Sequence, residues 1–361
     1  MWREAFMATT PVRPVLALAM GDPCGISPEL TAKAIMDAEV RAAVDLIVIG
    51  DRRVLAEGEA VAGLACDCRT WSPNAPLDFE GAPVFVDLGH LDPSRVQGGT
   101  ASRAGGAFAL ANFRTALRLG AAGAVDAVTF TPFNKYAMKL ADASYEDEIA
   151  VITEESGADR NGREFNILDD LWNARITSHV PLKDVARHIT REAVLNGLVL
   201  TDRCMRDAGI ARPRIAVAGL NPHAGDGGNF GREEIDIIEP AVTAAKAQGI
   251  ACEGPFPSDT VFLRARRGDF DAVQTMYHDQ GQIAMKLMGF ERGITLIDGY
   301  AFPVCTPAHG TAYDIAGKGV ANLGATRNAL LIAARMAKRR DVDDVERARR
   351  LRSMLTKVAA E

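Results

Sequence analysis

Long apolar runs are missing from this 361-residue chain. No stretch reaches the roughly 20 apolar residues that a membrane-spanning helix needs. The opening MWREAFMATTPVRP carries charges where a secretory leader would have an apolar core. Cysteine is sparse: six residues, at positions 24, 66, 68, 204, 252 and 305, with no C-x-x-C pair. Cys66 and Cys68 stand too close for an ordinary mutual disulfide, so a reduced, cytoplasmic chain is expected. Basic charge is not in excess either. The net charge is −6 and no extended basic run occurs, which argues against a nucleic-acid partner. The short KRR at 338–340 reads as part of a solvated helix face. There is no H-E-x-x-H metal box, no G-x-G-x-x-G dinucleotide fingerprint, no internal repeat and no low-complexity tract.

What is present is an ordinary globular composition, 48% hydrophobic and 24% charged, long enough for two domains with real cores. Short apolar runs alternate with helical stretches. PVLALAM (14–20), VDLIVIGD (44–51), VDAVTFTP (125–132), RIAVAGLNP (214–222) and FDAVQTMYH (270–278) read as strands. TAKAIMDAE and residues 101–123 read as helices. This alternation predicts an α/β fold with a largely parallel sheet, whose ligands bind beyond the carboxyl ends of strands. TWSPNAPLDFEGAP (70–83) reads as a surface excursion, and the tail after Leu323 as one or two exposed amphipathic helices.

The loops after these strands hold the chemistry. TMYHDQGQIAMK (275–286) sets Tyr277, His278, Asp279 and Gln280 side by side, with Lys286 following. His179 and His223 also stand at strand or loop ends. Each histidine alone reads equally well as a strand cap or a loop hydrogen bond. Carboxylate and amide neighbours that could orient His278 raise the case for a metal ligand, since neutral imidazoles bind zinc and other divalent ions. NPHAGDGGNFGREE (221–234) has four glycines, which let backbone N–H groups approach a ligand, or simply make a flexible loop.

HGTAYDIAGKGVAN (309–322) resembles the cofactor loop of the isopropylmalate and isocitrate dehydrogenases. The resemblance implies that His309, Gly310, Asp314, Ala316, Gly317, Gly319 and Asn322 bind the adenosine half of NAD. Asp314 would accept hydrogen bonds from the ribose hydroxyls and repel a 2′-phosphate, which favours NAD over NADP. GDPCGISPE (21–29), TPFNK (131–135), SHVPL (178–182), LNPHAGDGGNFGREEID (220–236), GPFPSDTVF (254–262) and MYHDQGQIAMKLMGFERG (276–293) occur in the same order as in another group. With the cofactor loop they are similar to the 4-hydroxythreonine-4-phosphate dehydrogenase family, from about Leu16 to Asn322. That likeness implies a two-domain isopropylmalate/isocitrate dehydrogenase-like fold with a central cleft. Residues 1–135 plus 308–361 would form the cofactor side, and 136–307 the metal, substrate and dimerisation side. It implies that His179, His223 and His278 bind one divalent metal, zinc or else magnesium, cobalt or manganese, with ligands from both subunits of a homodimer. Lys286 would bind substrate and serve catalysis, and Asp259 would lie near the metal.

The chain departs from the family at its substrate contacts. Glu146 and Asp147 stand for a histidine and a threonine, Thr295 for an asparagine, and Val304 for an arginine. A phosphate needs cations and N–H donors, so these positions put the family's phosphorylated substrate in question. The resemblance therefore implies a metal- and NAD-dependent, decarboxylating dehydrogenase of a hydroxy acid. Its substrate is either the phosphorylated one or an unphosphorylated one, such as the cis-dihydrodiol carboxylate of the terephthalate relatives. A silent metabolite-binding protein is the remote alternative.

Overall fold

Strands fully buried along their length give this chain its backbone. In the computed structural model, residues 13–72, 74–158, 162–337 and 342–358 are described. The start of the chain and the KRR segment lie outside them. The strands are β1 (Val15–Ala19), β2 (Asp45–Gly50), β3 (Arg69–Thr70), β4 (Val84–Asp87), β5 (Ala127–Phe130), β6 (Arg163–Leu168), β7 (Leu171–Arg175), β8 (Ile215–Ala218), β9 (Cys252–Phe256), β10 (Ala272–Thr275), β11 (Ile294–Asp298) and β12 (Val304–Pro307). They form one twelve-stranded sheet in the order β3-β4-β2-β1-β5-β12-β11-β6-β7-β10-β8-β9. Every residue of β1, β5, β8 and β10 is buried, as expected of parallel strands covered on both faces.

Three pairings in the middle are antiparallel: β12 with β11, β11 with β6, and β6 with β7. The other pairings are parallel. Following the directions across these three steps, β7, β10 and β8 run opposite to β1, β5 and β12. Their carboxyl ends therefore point to opposite edges of the sheet. The loops carrying the histidines leave one edge, and the 308–322 loop leaves the other.

Strands from before and after residue 136 join in the one sheet, and Met138, Tyr145, Val151 and Ile152 pack with Phe113, Val128 and Phe130. Helix Arg103–Ala121, capped by Ser102 Oγ on the Gly105 N–H, buries Phe108, Phe113 and Leu117 in this region. Two expectations need correction. Residues 70–83 are no mere excursion: Trp71, Leu77 and Phe79 are buried in the same core. Helix Gly324–Met336 is not exposed, because Ala325, Ala329, Leu330 and Ala333 are fully buried. Small side chains let it lie close to the sheet.

Helix Asp344–Val358 is fastened by a buried ion pair. Arg347 donates to both oxygens of Asp126 at 3.0 Å and to the Ala124 carbonyl at 3.1 Å. Asp126 Oδ2 also accepts the Val15 N–H at 2.9 Å, which ties the helix to the start of β1. Removing one partner strands a buried charge, at a cost of about 3–5 kcal/mol. Arg347→Met should lower the unfolding free energy by about that amount in a urea titration. A loss under about 1 kcal/mol would show that the pair contributes little beyond packing.

Candidate active site

The loop after β12 is fixed by the loop after β1. Tyr313 Oη donates to the buried Asp22 at 2.5 Å, and Asp22 Oδ1 accepts the Cys24 N–H at 2.8 Å. Burial raises the Asp22 pKa despite these bonds. The Ile26 N–H donates to the Thr311 carbonyl at 3.0 Å. A side chain on Gly25 would stand 2.6 Å from that carbonyl oxygen, so only glycine lets the two loops meet. Further along, Glu29 Oε1 accepts the Ala321 N–H at 2.8 Å, and Lys33 donates to the Ala321 carbonyl at 2.8 Å. Lys33 and Glu29 pair at 2.6 Å. Asp22, Glu29 and Lys33 were not singled out individually by sequence. The signal for Glu29 and Lys33 was a pair of opposite charges four residues apart on an otherwise buried helix, and for Asp22 a carboxylate just after a buried strand.

Between these anchors the loop is open. Gly310 and Gly317 have no atom within 4 Å of where a side chain would begin. Asp314, Gly310, Gly317 and Asn322 are exposed, and Ala316 and Gly319 half-buried. His309 accompanies Gly310, and burial lowers its pKa. A loop with bare glycines and an exposed carboxylate is a cradle that fits a dinucleotide.

His179 and His278 come together, with ring centroids 6.1 Å apart. Each has a carboxylate at Nδ1: Asp147 at 3.7 Å from His179, and Asp279 at 2.6 Å from His278. A carboxylate on Nδ1 leaves Nε2 for a metal and fixes the ring. The donor set therefore fits a divalent ion, with a further ligand required. Among the described residues of one chain, no three His, Cys, Asp or Glu side chains converge as a metal site. The ring contact of His223 is with Phe230, at 6.1 Å.

His223 sits in an unusual backbone. His223, Ala224, Gly225, Asp226 and Gly227 all have φ between 45° and 80° with left-handed helical ψ, or ψ near zero at Gly225. For the three residues bearing side chains this costs roughly 1–2 kcal/mol each. Such a run persists only where its surroundings hold it, and strain of this kind clusters at functional sites.

Beside the start of the 308–322 loop lies a cavity of about 230 Å³, lined by Lys135, Glu148, Glu164, Thr295, Thr306 and His309 among others. Its floor is one face of the antiparallel strands. Thr295 lies opposite Asn166 and Thr306, and Ile297 opposite Glu164 and Val304. Arg175 of β7 donates to Glu164 and to Asn166, and through Nε to Ser178 Oγ at 2.6 Å. Asn166 Oδ1 also accepts Gln282 Nε2 at 2.8 Å. Lys135 pairs with Glu148 at 2.8 Å. Burial works against the Lys135 charge, yet Glu148, Glu164 and Asp147 outweigh it and its pKa is raised. Glu164, Asn166 and Arg175 were missed. Their signal was polar residues at every second position in REFNIL and LWNAR.

The remaining candidates scatter around this floor. Glu146 is exposed, while Asp147 caps helix Glu148–Ser156 by accepting the Ala150 N–H at 2.8 Å. Thr295 Oγ1 accepts Asn166 Nδ2 at 3.3 Å. Asp259 is exposed in the first turn of helix Ser258–Arg266. Lys286 is exposed on helix His278–Gly289, about 12 Å along the axis from His278. Val304 shares the floor's face and is fully buried with Val128 and Phe302.

The profile of the family described as "Pyridoxal phosphate biosynthetic protein PdxA" matches residues 42–333. A Rhizobium meliloti (strain 1021) protein named "Putative 4-hydroxythreonine-4-phosphate dehydrogenase 2" is 61% identical, covering 91% of this chain and 94% of its own. A crystal structure of a 4-hydroxythreonine-4-phosphate dehydrogenase from Burkholderia phymatum is similar with a TM-score of 0.75 and 34% identity, covering 91% of this chain and 100% of that one. A terephthalate 1,2-cis-dihydrodiol dehydrogenase structure from Burkholderia xenovorans LB400 is similar at 0.63 and 27%, covering 90% and 98%. Among the described residues no helix is long and apolar enough to cross a membrane.

The Asp147–His179 pair makes a pH prediction. His179 holds Asp147 below its ordinary value of 3.8, and Asp147 holds His179 above its ordinary 6.5. The His179 contribution to stability is complete below 6.5 and is lost as pH rises through the raised value. The Asp147 contribution is complete above 3.8 and is lost as pH falls through the lowered value. The pair therefore acts most strongly between those limits. In metal-free protein, Asp147→Asn should move the His179 titration, followed by NMR of its ring protons, to lower pH. An unmoved titration would show that the two side chains do not interact in solution.

Proposed function

The chain belongs to the family of pyridoxal phosphate biosynthetic protein PdxA and is a dehydrogenase acting on a hydroxyl group, from which we propose a metal- and NAD-dependent oxidation of a hydroxy acid followed by decarboxylation. The observation that carries this reading is the cavity that runs from His309 and Gly310 of the open loop to Lys135, Glu148 and Glu164. Glu148 of the lining opens the helix that Asp147 caps, and Asp147 faces the His179 ring at 3.7 Å, which supports placing the metal site beside this cavity.

When bound, a divalent ion supplies Lewis acidity toward the substrate hydroxyl, and NAD supplies a hydride acceptor. His179, His223 and His278 would hold the ion, with Asp147 and Asp279 orienting two of the rings. Asp314 would accept the adenosine ribose hydroxyls and turn away a 2′-phosphate. Lys286 would hold a substrate carboxylate or give a proton to the carbon left by carbon dioxide. Asp259 would stand near the metal. A homodimer is the fitting assembly, since one chain gathers only two of the imidazoles. The exposed Leu263, Ile283 and Leu287 support a covered face on that side.

A second reading of the substrate has specific support. Two cations were open to hold a phosphate in place of the arginine that Val304 replaces. Lys135 is paired with Glu148 at 2.8 Å, and Arg292 with Asp169 at 3.1 Å. Glu148 and Glu164 line the cavity against one lysine, with Asp147 nearby. One unscreened charge contact near 4 Å is worth about 4 kcal/mol at an effective dielectric of 20. This lining favours hydroxyl groups over a phosphate, which points to an unphosphorylated hydroxy acid or dihydrodiol carboxylate.

A steady-state panel tests both readings. Purified protein with zinc is given NAD or NADP and 4-hydroxythreonine, its 4-phosphate, or a terephthalate cis-dihydrodiol. NADH should form, NAD should be preferred, and an unphosphorylated compound should have the higher kcat/KM. A value near 10⁴ M⁻¹s⁻¹ or above for the phosphate would restore the phosphorylated substrate, taking the usual range of about 10⁴–10⁸ as the measure. No reduction of either cofactor with any member would favour the metabolite-binding alternative.

A further inference from the structure

One buried carboxylate that no step above uses lies beneath the left-handed turn carrying His223. Glu234 is 2% exposed. Its Oε1 accepts the N–H groups of Leu220 and Asn221, each at 2.7 Å, and its Oε2 accepts the Asn221 side-chain amide at 3.0 Å. Glu233 accepts the same amide at 2.7 Å. A side chain on Gly225 would stand 2.7 Å from Oε2, and one on Gly219 would stand 3.0 Å from Oε1. The turn is therefore wrapped on the carboxylate at contact distance. Glu234 also opens a π-helical segment, Glu234–Ile238, a local widening that often marks functional sites.

The same turn is tied to the start of the helix that bears His278. Gln280 Nε2 and Ser258 Oγ each donate to the Gly219 carbonyl at 2.8 Å, while Gln280 Oε1 accepts the Met276 N–H at 2.7 Å. Residues 219–221 are thus gripped from both sides, by Gln280 and by Glu234. His223 follows two residues later, in a conformation that side-chain-bearing residues adopt only under constraint.

We propose that Glu234 is a positioning residue for metal binding: it templates the left-handed turn and so sets the direction in which His223 is presented. The proposal rests on the reading of the three imidazoles as metal ligands. A carboxylate satisfied by backbone N–H groups would also stabilise the fold, so stability and metal affinity must be read separately.

Metal-free full-length protein is titrated with Co²⁺ by calorimetry, and the visible Co²⁺ band and thermal midpoint are recorded on the same samples. Wild type, His223→Ala, Glu234→Ala and Glu234→Gln are compared. Loss of an outer partner of a metal ligand typically costs about 10–100-fold in affinity, and Glu234→Ala should fall in that range with a weakened band. Glu234→Gln keeps one carbonyl oxygen for Leu220 and Asn221 but turns an amide N–H₂ toward the Asn221 amide. It should fall between wild type and Glu234→Ala, and it carries the test if the alanine variant does not fold. Glu234 variants that lose thermal stability but bind Co²⁺ like wild type overturn the proposal. Unchanged binding in His223→Ala, or no binding by wild type, overturns the metal reading itself and the role of Glu234 with it.

Discussion

The reversal of strand direction in the middle of the sheet is the constraint on which the site depends. A fully parallel sheet would send every strand's carboxyl end to one edge. Here β12, β11, β6 and β7 alternate in direction, so the loop of residues 308–322 and the imidazole loops leave from opposite edges. A ligand that reaches both must lie across the face of these strands. That face is accordingly polar, with Glu164, Asn166, Arg175, Thr295 and Thr306 where a parallel sheet would carry apolar side chains. A floor of this kind is tolerated because its groups satisfy one another: Arg175 serves Glu164, Asn166 and Ser178 together.

Positioning on either side of the floor follows one pattern, a buried acid holding a loop. Asp22 takes the Tyr313 hydroxyl and Glu29 the Ala321 N–H of the 308–322 loop, and Glu234 takes the N–H groups of Leu220 and Asn221 before the turn at His223. Glycines at Gly25, Gly219 and Gly225 allow the contacts, since a side chain at any of them would stand 3.0 Å or less from the neighbouring atoms. The ligand-facing groups can therefore be exposed without being loose.

Much of this was legible in the sequence, and the exceptions have physical causes. β1, β2, β5, β8 and β10 announced themselves as continuous apolar runs because both their faces are covered. β6, β7, β11 and β12 did not, because their alternation of polar and apolar residues serves a cleft rather than solvent. The 70–83 segment looked like surface from its prolines, yet Trp71, Leu77 and Phe79 reach the core. Gly324–Met336 looked exposed, yet its alanines pack on the sheet. His179, His278, Asp147 and Asp279 were visible as residue types, and the structure adds which carboxylate faces which ring. Val304 was visible as an apolar residue where the family places an arginine, and the structure adds that it is buried. Glu234 was hidden because its partners, the N–H groups of Leu220 and Asn221, lie more than ten residues earlier.

The central claim is that the imidazole loops and the 308–322 loop border one catalytic space in which a bound metal is needed for oxidation. The most direct measurement is NADH formation at 340 nm by enzyme stripped of metal with EDTA, before and after zinc is restored, with a substrate the enzyme turns over. Turnover should vanish on stripping and return with zinc. Full turnover by the stripped enzyme would contradict the claim.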